Sequence, residues 1–304
     1  MNASVTDQFV QPLFRIAPTP SGFIHRGNAA NFLLIWLFAR IKKGKLLLRI
    51  DDLDRERMRP EYLSDIFRSL EKLGIDYDHG PAGPDDFTAH WSQFVRMDLY
   101  RDALHTLKNK PESYSCACSR GSLNKDKTCA CKSALSTMDP DSCNFKITLE
   151  VDPSRLRNDF FSIAESVQRT EYRTDLVFMR KSGQPAYHTA SIVDDVHFGV
   201  THLVRGEDLI ESSIYQLALA AAMRKVNYLQ VKHAHHPLVR SNDGEKLAKS
   251  AGKRSIQKPN HADWSPDQIS MLVSKWLDLG SIGNKEELFD AANGSAVGAN
   301  ILQW

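Results

Sequence analysis

Leu13-Phe-Arg15-Ile-Ala-Pro18-Thr19-Pro-Ser21-Gly-Phe-Ile24-His25-Arg-Gly27-Asn28 begins as a short apolar run and breaks on a Pro/Ser/Gly cluster. The pattern reads as a strand, Leu13 to Ala17, feeding a loop. A helix should follow from Gly27. Asn28 to Ile41 is rich in helix formers and apolar on most faces, and Lys42-Lys43-Gly44 supplies a basic last turn with a glycine cap. A helix apolar nearly all round is expected to be buried. Lys45 to Ile50 repeats the strand signal and ends in Asp51-Asp52-Leu53-Asp54, and Pro60 to Leu73 is a second helix stopped at Gly74. Strand, helix, strand, helix predicts an α/β fold with a parallel sheet. The loop between the first strand and helix also invites an anion. Helix N–H groups and the helix dipole stabilise phosphate there, Gly27 permits close approach, and His25 and Asn28 can donate to phosphate oxygens. Taken alone, the same residues also fit a Pro/Gly turn beside a core histidine.

Beyond this unit a helix is expected from about Trp91 to Lys108. The alternation then breaks between about 115 and 187, a stretch holding a cysteine cluster, Pro140, Pro153 and short strand-like runs such as Phe145 to Val151 and Leu176 to Arg180. This reads as an insertion. From about Ala190 the alternation resumes, with His202 to Arg205 as a strand end, Ser212 to Met223 as a helix and Tyr228 to His233 as a strand. Ser265 to Leu279 and Lys285 to Ala292 read as helices.

The chain of 304 residues is long enough for two domains or one enzyme-sized domain with an insertion. With 42% hydrophobic and 25% charged residues, collagen-like, disordered and coiled-coil classes are set aside. A net charge of +2 excludes a chain that binds nucleic acid by bulk basicity, so any polyanion must meet a local patch. The longest apolar run, Asn31 to Ile41, is about half of what a membrane span needs. Met1 to Gln11 carries neither a secretory nor a mitochondrial targeting signal, so a cytoplasmic protein is expected.

Cys116-Ala-Cys118 and Cys129-Ala-Cys131 are two close thiol pairs ten residues apart. Four thiolates can close a tetrahedral, structural Zn²⁺ site, the alternative being free buried thiols. Arg120, Lys125, Lys127 and Lys132 around them would suit an RNA backbone or mere solvation. Further on, Lys246-Leu-Ala-Lys249-Ser250 places two lysines in a loop-like run. They could close over a polyphosphate and stabilise charge growing at phosphorus, or simply be solvated. His233, His235 and His236 lack an acidic partner at ligand spacing and are expected to pack at a strand end and line a nucleotide pocket rather than bind metal.

Together these segments resemble the class I aminoacyl-tRNA synthetases of the glutamate/glutamine branch. His25-Arg-Gly-Asn28 is similar to their HIGH signature and Lys246-Leu-Ala-Lys249-Ser250 to their KMSKS signature. Arg49-Ile-Asp51-Asp52-Leu-Asp54, Leu73-Gly-Ile-Asp-Tyr-Asp-His-Gly-Pro81 and Val204-Arg-Gly-Glu-Asp-Leu209 resemble further segments of the branch, in the same order. The resemblance implies a Rossmann-type parallel sheet with an inserted zinc-bearing α+β subdomain. Its divisions would be 10–114 and 188–252 for the two catalytic halves, 115–187 for the insertion and 253–304 for a short helical C-terminal region. It implies activation of an amino acid by ATP with Mg²⁺ and transfer to tRNA, a chemistry of alignment and charge stabilisation without a protein nucleophile.

Residue by residue, the resemblance puts His25, Gly27, Asn28 and Lys249 on ATP, with His25, Asn28, Lys246 and Lys249 serving the chemistry. Arg15 and Arg205 would face the carboxylates of the amino acid, Asp51 its ammonium, and Thr19 and Tyr187 would line the same pocket. A cation at Arg205 favours L-glutamate over glutamine, while Asp51, where glutamate-specific members carry Glu, pulls the other way. About 54 residues follow the KMSKS-like segment. That is similar to the truncated glutamyl-Q tRNA(Asp) synthetase group, which attaches glutamate to queuosine in the anticodon of tRNA(Asp). The alternatives are a compact ligase charging the tRNA 3′ end, and a catalytically silent paralogue that binds ATP, an amino acid or RNA.

Overall fold

The computed structural model describes residues 11–118, 131, 143–156, 160–161, 170–239 and 264–304. Cys129, Lys246, Lys249 and the basic residues Arg120, Lys125, Lys127 and Lys132 lie outside them. Strands β1 (Leu13–Ile16) and β2 (Lys45–Leu48) pair in parallel around helix α1 (Arg26–Ile41), as the opening strand–helix–strand pattern requires. Strand β6 (His202–Gly206) joins the other side of β1, and β7 (Lys232–His236) pairs with β6, giving a parallel sheet in the order β2-β1-β6-β7. The chain thus leaves β1 toward β2 on one side and later returns on the other. A topological switch between β1 and β6 leaves a crevice at the carboxyl ends of those strands. Between the two halves, β3 (Ser113–Cys116), β4 (Asn144–Val151) and β5 (Tyr172–Met179) form a separate antiparallel sheet.

Helix α1 is apolar all round because it is covered all round. Phe32, Leu34, Phe38 and their neighbours share a core with strands β1 and β2, with helix α2 (Pro60–Lys72), and with Ile269, Val273, Leu288 and Ile301 near the C-terminus. A second core joins helices α3 (Met97–Lys108), α4 (Tyr187–Phe198) and α5 (Ile210–Ala222) to the antiparallel sheet. The left-handed residue after α1 is Lys43, φ 52°, rather than the expected Gly44. Gly44 answers a different need, since a Cβ there would lie 2.7 Å from the Pro12 carbonyl oxygen.

Three elements differ from the sequence expectation. The helix expected from Trp91 starts at Met97. Ser92 leaves helical geometry, and its hydroxyl and the Gln93 amide instead bond to the Asp52 carboxylate at 2.7 and 2.8 Å. The strand expected over Tyr228 to His233 runs over Lys232–His236, because Val226–Gln230 coils into a 3₁₀ turn that turns the Tyr228 hydroxyl inward. After α6 (Pro266–Trp276) and α7 (Lys285–Asn293) comes a further helix, α8 (Ala296–Gln303). Its small residues and Gly298 hid it, and its anchors are the buried Ile301 and Trp304.

His202 sits beneath the sheet, stacked on Phe14 at 4.7 Å and edge-on to Trp304 at 5.1 Å. Burial, with the nearby Lys42 and Lys232 ammoniums, lowers its pKa to about 3. A histidine held neutral in the fold contributes stability above its unfolded pKa, and that stability drains away as pH falls. The urea midpoint of the protein should therefore drop between pH 6.5 and pH 4, and that of His202→Phe should drop less. Parallel urea titrations check this, and equal slopes would remove His202 as the cause.

Candidate active site

The loop from Pro18 to His25 is fixed at both ends. Asp51 N–H donates to the Pro18 carbonyl at 2.9 Å, and Ile24 N–H donates to Asp65 Oδ2 at 2.6 Å. The indole N–H of Trp264 reaches the Ile24 carbonyl at 3.3 Å. His25 follows as the N-cap of α1. Its Nδ1 accepts from Gly27 N–H at 3.1 Å and from Asn28 N–H at 3.4 Å. Two N–H groups expected to meet phosphate directly are thus turned onto the imidazole. An Nδ1 that accepts leaves the proton on Nε2, so the ring presents a donor. Burial holds the His25 pKa below its ordinary value, opposed by Asp208, and the ring stays neutral. Gly27 has a steric reason here, because a Cβ would stand 3.0 Å from His25 Cε1 and 3.1 Å from Nδ1.

His25, Gly27 and Asn28 line a cavity of about 280 Å³, and Arg15, Asp51, Tyr187 and Arg205 line it with them. It opens at the carboxyl ends of β1 and β6, where the topology places a crevice. Thr19 is exposed and is not on its wall. Residues that the sequence reading did not select, among them Asn31 and Asp208, complete the wall together with His236. His236 Nε2 lies 3.2 Å from Asn31 Oδ1, and its ring stacks on Trp276 at 4.2 Å. His233 and His235 are buried behind it, in line with strand-end packing.

One end of the cavity is built on Asp195, a buried carboxylate of α4. Asp195 Oδ1 accepts from Arg15 Nε at 2.7 Å and Arg49 Nη1 at 2.6 Å, and Oδ2 lies 3.9 Å from Arg205 Nη2. Burial pushes its pKa up, but the three guanidiniums outweigh it and hold Asp195 below the usual carboxylate range. Arg49 also forks onto Asp51, Nε to Oδ1 at 2.7 Å and Nη2 to Oδ2 at 3.0 Å. Arg15, Arg49 and Arg205 thus gather on Asp195 and Asp51, and Asp194 Oδ2 stands 3.9 Å from Arg49 Nε. Arg205 is 3% exposed. Its Nη1 donates to Ser213 Oγ at 3.0 Å and Gln216 Oε1 at 2.6 Å, while its Nη2 has no hydrogen-bond partner among the described residues. Burial works against its charge, and Tyr228, Tyr187 and Asp195 more than compensate. Arg15, Arg49 and Arg205 are thus buried, not the surface ion pairs that isolated arginines would suggest.

Asp194, next in the helix, points the other way. It accepts from Arg96 and the Tyr100 hydroxyl, each at 2.7 Å, and from Gln93 at 2.8 Å. The sequence reading missed Asp194 and Asp195; the signal that could have found them is two adjacent acids set among Ile192, Val193 and Val196, a place where a carboxylate needs a buried partner. Away from the cavity, the thiol sulfurs of Cys116, Cys118 and Cys131 lie within 4.8 Å of one another, with Cys118 and Cys131 at 3.5 Å. Tetrahedral zinc with Zn–S bonds of about 2.3 Å sets sulfurs about 3.8 Å apart, so the donor set fits that ion.

The chain matches the model of the class I tRNA synthetase (E and Q) catalytic domain over residues 13–297. A glutamate–tRNA ligase of Thermodesulfovibrio yellowstonii is 30% identical over 286 residues, covering 90% of this chain and 58% of the relative. One from Dehalococcoides mccartyi is 32% identical over 289 residues, again 90% and 58%. The chain thus spans less than two thirds of the length of these relatives. Among solved structures, a glutamate tRNA ligase of Elizabethkingia meningosepticum in complex with its amino acid shares the fold, with a TM-score of 0.67 and 20% identity over 92% of this chain and 64% of that one. A methionyl-tRNA synthetase of Mycobacterium tuberculosis shares it more distantly, with a TM-score of 0.51, 15% identity, and coverage of 94% and 69%. A strand–loop–helix capped by His25, a parallel sheet with its switch between β1 and β6, and a family match over nearly the whole length agree: the chain belongs to the class I tRNA synthetases (E and Q), through their catalytic domain.

Proposed function

We propose that the chain activates glutamate with ATP and passes the glutamyl group to tRNA. In this reading a glutamate carboxylate oxygen attacks the α-phosphorus of ATP. The bond to the bridging oxygen breaks, pyrophosphate leaves, and a glutamyl-adenylate remains for the tRNA to attack. The observation that carries the reading is the buried, half-partnered Arg205 on the cavity wall, held there by the neutral Ser213 and Gln216. A ligand bearing a second carboxylate would complete it, and a planar fork suits a carboxylate. Arg15 and Asp51 would receive the backbone carboxylate and ammonium, with Tyr187 closing the pocket.

The nucleotide would occupy the other end, its phosphates near His25 Nε2–H and Asn28 at the start of α1. Leu238 and Val239, on the cavity wall, and Trp264, bonded to the Ile24 carbonyl, flank the segment that carries Lys246 and Lys249. Of the carboxylates lining the cavity, Asp51 is occupied by Arg49, so Mg²⁺ would be held mainly by the nucleotide's own oxygens, where it offsets phosphate charge. Zn²⁺ would be structural, on Cys116, Cys118, Cys131 and the neighbouring Cys129. For the acceptor, the cysteine-bearing insertion and the candidate glutamate pocket, which resemble those of the glutamyl-Q tRNA(Asp) synthetases, favour queuosine of tRNA(Asp). The names of the relatives, glutamate–tRNA ligases, favour the second reading, transfer to the tRNA 3′ end.

Three measurements test this. Glutamate should drive ATP–pyrophosphate exchange, and labelled glutamate should appear on queuosine-containing tRNA(Asp) but not on the queuosine-free form. Labelling of tRNA(Glu) instead would select the second reading, and no exchange with any amino acid would end both. Lys249→Ala should lower exchange by about 100-fold or more while leaving glutamate affinity unchanged, because a charge that acts as the transition state forms is not felt in the ground state. Gly27→Ala should lower exchange by about tenfold or more through a displaced imidazole without lowering the thermal midpoint, since alanine favours the helix by about 1 kcal/mol. Unchanged exchange in Gly27→Ala would detach His25 from the chemistry.

A further inference from the structure

Gln216 holds Arg205 without neutralising it. Its Oε1 accepts from Arg205 Nη1 at 2.6 Å and from the Tyr228 hydroxyl at 2.8 Å, in a site where Gln216 is 0% and Arg205 3% exposed. The other group on Nη1 is the Ser213 hydroxyl, also neutral, which in turn lies 2.9 Å from His235 Nε2. The one carboxylate within 4 Å of Arg205 among the described residues is Asp195, whose Oδ2 stands 3.9 Å away, beyond hydrogen-bond distance, while its Oδ1 is committed to Arg15 and Arg49. Burial keeps His233 and His188, the histidines nearest in charge, neutral. The guanidinium is therefore fixed in direction by neutral acceptors and keeps its charge for whatever enters the cavity.

We infer that Gln216 is the positioning residue that gives this cavity its preference for a carboxylate over a carboxamide, acting through Arg205. This rests on the proposed reading only in the identity of the ligand. The chemistry is specific to the amide. A carboxylate at position 216 would have nearly the same shape, could still accept from Tyr228, and would pair with Arg205 inside the protein. The ligand would then meet a pair already neutral. The Gln216 Nε2 has no hydrogen-bond partner among the described residues, so exchanging NH₂ for O breaks no bond. Gln216→Glu is thus a charge change with little cost in packing. Gln216→Met is its counterpart, removing the acceptor and leaving the cation.

Titration calorimetry on the whole chain, in the presence of α,β-methylene-ATP, which cannot release pyrophosphate, and Mg²⁺, should compare glutamate with glutamine, aspartate with asparagine, and glutarate with glutaramate. Wild-type protein should bind the acid of its preferred pair more tightly than the amide. Gln216→Glu should lower that acid/amide ratio by at least about tenfold, the lower bound for coupling between close buried charges. Gln216→Met should weaken the acid while keeping the sign of the preference. A merely structural role would weaken acid and amide alike and leave the ratio within twofold, which overturns the inference when circular dichroism shows both variants folded. Preference for an acid other than glutamate, lost in Gln216→Glu, would sink the glutamate reading and leave this inference standing. Selection of glutamate that survives unchanged in Gln216→Glu would do the reverse.

Discussion

Asp195 is a charge with no water around it, and the structure about the cavity is arranged to make that tolerable. An unpaired buried carboxylate is costly, and breaking a buried pair typically costs about 3–5 kcal/mol. Here the partners come from separate elements, Arg15 from β1 and Arg49 from the residue after β2, both bonded to the same oxygen. Arg205 approaches the other oxygen from β6. One side chain on α4 therefore fixes three strand ends relative to one another, and a shift of any would strand a charge. Consecutive residues of a helix point about 100° apart. That is why Asp194 serves a different set, tying α3 and the Ser92–Gln93 turn to the same helix while Asp195 holds Arg15 and Arg49.

That arrangement also explains the electrostatic character of the cavity. Arg49 divides itself between Asp195 and Asp51, so neither acid carries its full charge into the pocket. Asp51 is a short acid braced by a forked arginine rather than a free anion. The balance tilts to the positive at Arg205. Selectivity for charge in such a site depends less on the residues that touch a ligand than on whether their holders are charged or neutral.

Much of the scaffold was legible because it rests on local patterns. The β1–α1–β2 unit, the parallel pairing and the stop at Gly74 follow from periodicity and from Pro and Gly placement. The places where the reading failed are those where a side chain at long range overrode the pattern. Ser92 and Gln93 leave a helix-like run to bind Asp52, forty residues away, and Tyr228 is drawn out of a strand-like run by Gln216. The cavity residues with motif spacing, His25, Gly27, Asn28, Asp51 and Arg205, could be found in sequence. Arg49 and Gln216 could not, because their roles exist only once β1, β6, α4 and α5 meet. Cys129 and the two lysines, Lys246 and Lys249, fall on residues 119–130 and 240–263, outside those described.

The start of α1 shows how a helix can be capped and still present a donor. A serine or aspartate at the N-cap would satisfy the first N–H groups and end the matter, leaving an oxygen facing the cavity. Histidine satisfies the same N–H groups through Nδ1, and by doing so fixes its proton on Nε2 at the far side of the ring. The positive end of the helix dipole is thus relayed through an aromatic ring instead of being spent on the cap. The relay requires that nothing crowd the imidazole from the first turn, and that burial keep it from taking a second proton. Gly27 meets the first condition and the 4% exposure of the adjoining Ile24, sealed by Trp264, helps meet the second. An anion-facing donor and a stable helix terminus, which compete for the same amides in a bare helix, are reconciled here by one ring and the absence of one methyl group.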